Sequence, residues 1–74
     1  MKIIDSIVTG NLFITADTQY NNVTADNVVI EENIKARIYG EIKKDITLNK
    51  GSKLYLHGNY HGEIINNGGE IEVY

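Results

Sequence analysis

The chain of 74 residues contains no cysteine, no proline and no tryptophan. Without cysteine there is no disulfide framework, no thiolate zinc site and no thiol nucleophile. Without proline every residue keeps its amide donor, as ladders of paired strands require. Strong helix formers are few, with only three alanines, four leucines and one glutamine, so helices are not expected. No apolar run exceeds three residues, as in Val28-Val29-Ile30, and no membrane span is expected. The segment Met1-Lys2-Ile3-Ile4-Asp5 lacks the apolar stretch of a signal peptide, which makes the cytoplasm the expected location. A chain this short hides only about 60% of its surface on folding, so one domain with a thin core is the most it supports.

What is abundant is isoleucine (twelve), asparagine (nine) and glycine (seven). The β-branched residues alternate with others at a period of two. Leu12, Ile14 and Ala16 alternate with Phe13 and Thr15; Ala36 and Ile38 with Arg37 and Tyr39; Leu54 and Leu56 with Lys53, Tyr55 and His57; Ile71 and Val73 with Glu70, Glu72 and Tyr74. These are short, half-buried strands. Asparagine and glycine between them mark places where the backbone turns through left-handed conformations.

The strands repeat. Displacing the chain by eighteen residues lays Val28-Val29-Ile30 on Ile46-Thr47-Leu48, Asn33 on Gly51, Lys35 on Lys53, Ala36 and Ile38 on Leu54 and Leu56, and Gly40 on Gly58. A further step of seventeen lays Leu54 and Leu56 on Ile71 and Val73, and Gly51 on Gly68. Upstream, Leu12 and Ile14 precede Val28 and Ile30 by sixteen. A unit this short suits one rung of a β-solenoid with three short faces, in which equivalent residues stack at about 4.8 Å. A rung cannot bury its inner face alone, so stability comes from its neighbours. The expected fold is all-β, a short β-solenoid (parallel β-helix) of about three to four rungs of 17–18 residues. It is a single domain over residues 1–74: an N-terminal cap or dimer contact over 1–11, a degenerate rung over 12–27, and rungs over 28–45, 46–63 and 64–74. The competing architecture is an antiparallel sheet in which Asn66-Asn67-Gly68-Gly69 forms a hairpin tip between Glu63–Ile65 and Glu70–Tyr74. It accounts for the C-terminus and leaves the repeat unexplained.

The succession Ala36-Arg37-Ile38-Tyr39-Gly40-Glu41-Ile42, Asn49-Lys50-Gly51-Ser52, Leu54-Tyr55-Leu56-His57-Gly58, His61-Gly62-Glu63-Ile64 and Asn67-Gly68-Gly69-Glu70-Ile71 resembles bactofilin-like and related short bacterial β-solenoid proteins, in which alternating aliphatic residues and a glycine recur once per rung. The resemblance spans residues 28–74 and rests on pattern. It implies a right-handed solenoid without catalytic machinery. The chain departs from bactofilins in being shorter than their usual core and in lacking their flanking tails.

The net charge is −3, and it is unevenly spread. Lys2 against Asp5, Asp17, Asp26, Glu31 and Glu32 leaves −4 over residues 1–34; six cations against Glu41 and Asp45 leave +4 over 35–53; Glu63, Glu70 and Glu72 leave −3 over 54–74. A basic belt between two acidic ends suits a docking surface for a protein and opposes binding along a nucleic acid. The repeat register places Arg37 beneath Tyr55, Lys35 beneath Lys53 and Tyr39 beneath His57 on one outer face. Lys35, Arg37, Tyr39, Lys53, Tyr55 and His57 are therefore the candidate protein-interaction residues, since Tyr and Arg anchor interfaces. Tyr60 and Tyr74 are further candidate anchors.

Other motifs point to less. His57 and His61 are the most metal-like pair, but four residues along a strand span about 13 Å, and no third ligand is apparent; no metal or cofactor is expected. Gly58 and Gly62 read as corners, because a phosphate-cradling loop needs a following helix. Asn22-Val23-Thr24 matches the glycosylation triplet without a secretory context. Glu31 and Glu32 adjoin a turn, and Glu70 and Glu72 read as charges that discourage edge pairing. No catalytic residues are expected. The expected function is a non-enzymatic protein-interaction module, of which a small immunity-type inhibitor that neutralises a toxin is one case by analogy of size and charge. The alternative is a self-assembling, bactofilin-like scaffold that dimerises or stacks through its open rung ends.

Overall fold

Residues that alternate in the sequence alternate across a sheet. The computed structural model, which describes residues 1–74, contains eight strands and no helix: β1 (Lys2–Ile4), β2 (Ile7–Ile14), β3 (Thr18–Ile30), β4 (Lys35–Ile42), β5 (Ile46–Leu48), β6 (Lys53–Tyr60), β7 (Ile64–Asn66) and β8 (Glu70–Val73). Every pairing is parallel, and each joins a segment to the one a turn later. The chain is a β-solenoid of about four turns. β7 pairs with β5 and β8 with β6, so Asn66–Gly69 is a corner and the hairpin alternative is excluded. No helix is long and apolar enough to cross a membrane.

The turns have three faces. On the first, Lys2, Thr18, Ala36, Leu54 and Ile71 stack in register. On the second, Ile7, Val23, Gly40 and Gly58 stack, and on the third Leu12, Val28, Ile46 and Ile64. The step of eighteen from β4 to β6 and of seventeen from β6 to β8 matches the repeat in the sequence. Residues 1–11, expected as a cap or dimer contact, supply β1 and the start of β2, which lie on β3 at a step of sixteen. They form sides of a first turn, and its outer edge is unpaired.

Inward residues of the three faces meet in one core. Ile14, Val28, Ile30, Ile38, Ile42, Ile46, Leu48, Leu54 and Leu56 are buried there with Tyr20, which the sequence pattern did not single out. Ala16, grouped with the inward residues by alternation, is exposed beyond the end of β2. Two polar side chains are buried, and each satisfies itself locally: the Thr18 hydroxyl donates to the Ala16 carbonyl at 2.8 Å, and the Ser52 hydroxyl to the Asn49 carbonyl at 2.7 Å.

The corners repeat as the faces do. Asn33, at φ 60°, lies beside Gly51, at φ 74°, so the left-handed conformation recurs where asparagine and glycine tolerate it. Between the second and third faces, side chains bond from turn to turn. Asn27 Nδ2 donates to Asn11 Oδ1 at 3.0 Å, the Asp45 amide to Asn27 Oδ1 at 3.2 Å, and the Glu63 amide to Asp45 Oδ1 at 2.9 Å. Gly40 and Gly58, at φ 150° and 157°, come closest to neighbouring backbone: a Cβ on Gly58 would strike the Gly40 carbonyl, and one on Gly40 the Val23 carbonyl.

Two outcomes follow. Gly58→Ala should cost about 2–4 kcal/mol, since it adds backbone strain to a collision with main chain, whereas Gly10→Ala, where a Cβ meets nothing nearer than 3.9 Å, should stay within about 1 kcal/mol; urea midpoints measure both. Burial pushes the Tyr20 phenol above its ordinary value of 10.0, against a smaller opposing effect of Thr18. The folded chain therefore holds this proton more tightly than the unfolded chain. The resulting contribution to stability is complete below pH 10 and is lost as pH rises through the folded value. Thermal unfolding followed across that range should fall less steeply for Tyr20→Phe than for the native chain.

Candidate protein-interaction surface

An in-register parallel ladder places like positions of successive turns side by side. Flat side chains at such positions come into contact, and this happens on the outer side of the first face. Lys35 pairs with Lys53, Arg37 with Tyr55 and Tyr39 with His57. One turn later Lys53 meets Glu70 and Tyr55 meets Glu72. The six candidate residues Lys35, Arg37, Tyr39, Lys53, Tyr55 and His57 thus form three adjacent columns on β4 and β6.

The third column is a stack of rings. Tyr39 and His57 lie 4.4 Å apart between centroids at 12°, and His57 and Tyr74 4.3 Å apart at 5°. The spacing is that of the strands, so stacking follows from the ladder and fixes the rings against rotation. In the second column the Arg37 guanidinium carbon lies 5.6 Å from the Tyr55 ring centre, and the Lys53 ammonium lies 5.1 Å from the same centre. Both lie within the range of a cation–π contact.

Charge on this face changes sign along the axis. Lys35, Arg37 and Lys53 occupy the third and fourth turns, and Glu70 and Glu72 follow. Lys53 Nζ lies 3.7 Å from Glu70 Oε2, but Glu70 is largely exposed, so this pair adds little stability. The Tyr55 hydroxyl beside it, ahead of the fields of Glu70 and Glu72, holds the Lys53 ammonium above its ordinary value. The Tyr74 hydroxyl donates to Glu72 Oε2 at 2.7 Å, and this bond raises the Tyr74 phenol.

The other candidates separate. Tyr60 pairs with Ile42 and so continues an inward column of the second face, away from Tyr39 and Tyr55; it is part-exposed because no later turn covers it. His61 contacts Glu41, Nε2 to Oε2 at 3.0 Å, while His57 lies inside the ring stack. The two histidines therefore serve different contacts, and no group of three His, Asp or Glu side chains converges as a metal site would. The surface has no pocket. Tyr74 as third ring and Glu72 above Tyr55 were not anticipated. The step of seventeen that relates Leu54 to Ile71 would have found both.

No protein-family model matches the chain, and no curated protein or solved structure is significantly similar to it. None of these comparisons identifies a bactofilin-like family.

The stack predicts its own energetics. His57→Ala removes two ring contacts worth about 0.5–1.5 kcal/mol each, so it should lower stability by about 1–3 kcal/mol and weaken the near-ultraviolet circular dichroism of tyrosine. Lys43→Ala, at an exposed position outside the face, should change stability by no more than about 0.5 kcal/mol.

Proposed function

We propose that the chain is a non-enzymatic protein-interaction module that docks an acidic protein surface on the face formed by Lys35, Arg37, Tyr39, Lys53, Tyr55 and His57. The observation that carries this reading is the ladder-held column Tyr39–His57–Tyr74 beside a Tyr55 ring contacted by two cations. Side chains already fixed in the free protein lose little entropy on binding, and aromatic residues with arginine are the residue types that anchor interfaces. The basic belt supplies complementarity to carboxylates on a partner. Glu70 and Glu72 on the same face oppose the unbroken charge of a phosphate backbone, whereas a protein can set carboxylates against Lys35, Arg37 and Lys53 and none against these two, which favours a protein over a nucleic acid. A face without a pocket supports surface contact over catalysis. A small immunity-type inhibitor that covers a toxin domain is one form such a module takes.

The scaffold reading draws on a separate observation, the unpaired strand edges at both ends of the stack. Against unlimited stacking stand Glu63, Glu70 and Glu72, gathered at the C-terminal end.

Photo-crosslinking from position 55, with position 65 on the third face as control, tests the docking face. A protein crosslinked from position 55 and not from 65 should bind the Arg37→Glu chain at least about tenfold more weakly, a loss of ~1.4 kcal/mol, and should bind Lys43→Glu unchanged. Binding that survives Arg37→Glu, or crosslinks confined to position 65, would overturn the assignment.

A further inference from the structure

The first turn differs from those above it. Its outward side chains at the centres of the three faces are Ile3, Val8 and Phe13, exposed to 62%, 81% and 60%. One turn on, the same columns hold Gln19, Thr24 and Val29, and then Arg37, Glu41 and Thr47. Between residues 2 and 14 the only charges are Lys2 and Asp5. This turn pairs with β3 on one side and with nothing on the other. A nearly uncharged edge flanked by apolar side chains invites another chain to pair along it.

The layout of the turn identifies that strand. Its three faces centre on the triplets 2–4, 7–9 and 12–14; Asp5-Ser6 lies between the first two, and Gly10-Asn11, both within β2, lies between the last two. The pattern is symmetric about Val8. A second copy, turned about a two-fold axis through Val8 in the plane of the end, lays its third face along the first face of this chain and its second face along the second, all antiparallel. Ile3 then meets Phe13 of the second copy, Ile4 meets Leu12, Ile7 meets Thr9, and Val8 meets Val8. The sequence numbers of all these pairs have one constant sum, so a single register spans the whole edge. The chain climbs by about a third of the 4.8 Å strand spacing per face. First face against third, and second against second, therefore meet at the same separation, and no face is left gapped.

Parity agrees as well. The Lys2 amide donates to the Asp17 carbonyl and the Ile14 carbonyl accepts from the Glu31 amide, so inward residues direct their backbone groups at β3. By alternation Ile3, Val8 and Phe13 direct theirs at the free edge. These are the residues the register sets opposite each other, as the hydrogen-bonded pairs of an antiparallel ladder require. Inward Ile4 covers inward Leu12, closing the half-open end of the core. Asp5 lies opposite Asn11, so like charges are not opposed. The C-terminal end differs in charge. Its links, 61–63 and 67–69, are three residues each, but two such ends would bring together both sets of Glu63, Glu70 and Glu72.

We propose that this chain forms a discrete two-fold dimer, head to head, in which β1 and β2 of two copies join as one antiparallel ladder centred on Val8. The interface is isologous and leaves the Arg37–Tyr55 face of each copy free, so it stands or falls separately from the docking function. One turn is a small area beside the ~800 Å² per partner of a standard interface, so the association is reversible.

Sedimentation of the purified chain over a wide concentration range should show monomer passing to dimer and stopping there. Val8→Lys and Val8→Glu should each weaken the dimer at least about tenfold, since each sets like charges face to face, and mixing the two should restore it. Val8 is mostly exposed, so circular dichroism of each variant should match the native chain. In a chain without cysteine, Val8→Cys should oxidise to a covalent dimer, because Cα atoms about 5.5 Å apart in such a pair suit a disulfide, whereas Thr24→Cys, one turn away, should not. A monomer at every concentration, growth beyond a dimer, or a dimer indifferent to Val8→Lys would overturn the proposal.

Discussion

Parallel hydrogen bonding from each turn to the next is the constraint on which the rest of the molecule depends. It holds strands about 4.8 Å apart and leaves no freedom in what lies over what. Ile46 sits between Val28 and Ile64 because the backbone places it there, and the core is made of such columns. The same rule acts on the outside, where it builds the ring stack and puts two cations on Tyr55. The absence of proline follows from it, because nearly every residue within the stack is called on to donate.

Much of this was legible in the sequence, for a physical reason. Two adjacent turns of equal length show their register as plain coincidence of residue type, so Lys35 over Lys53 and Gly40 over Gly58 are visible without a structure, and the outer columns follow. Legibility failed where the spacing within a turn changed. The second turn has an extra residue near Asn21-Asn22, which shifts the register between Tyr20 and Val23 and hid the burial of Tyr20. The first turn, at sixteen residues, is shorter than the second and has apolar side chains on both its inner and outer sides, as in Ile3-Ile4 and Ile7-Val8. That pairing erases the alternation by which a strand is recognised, and residues 1–11 read as a cap or dimer contact rather than as sides of a turn. Tyr74 was read as an anchor, but its place over His57 was not, because the last step is seventeen and the outer columns were followed only through the step of eighteen.

The two ends of the stack solve the problem of an open ladder differently. Toward the C-terminus the chain gathers carboxylates, which makes the addition of a like edge costly. At the first turn it places apolar side chains and almost no charge. The proposed docking face lies between, in the third and fourth turns, where the outward positions of the first face are cationic and aromatic. Position along the axis thus sorts the surface into three chemical zones, although the interior is nearly uniform.

The eighteen-residue step between β4 and β6 also bears on how such a chain changes over evolutionary time. Each turn touches only its immediate neighbours, so stability accumulates turn by turn. A tandem copy of residues 35–52 would present to its neighbours the same inward Ala36, Ile38, Ile42, Ile46 and Leu48 that the original presents. It would lengthen the column of rings and the row of cations together. Slippage during copying of the coding sequence therefore enlarges the core and the aromatic, cationic face in one event, with no new packing problem to solve.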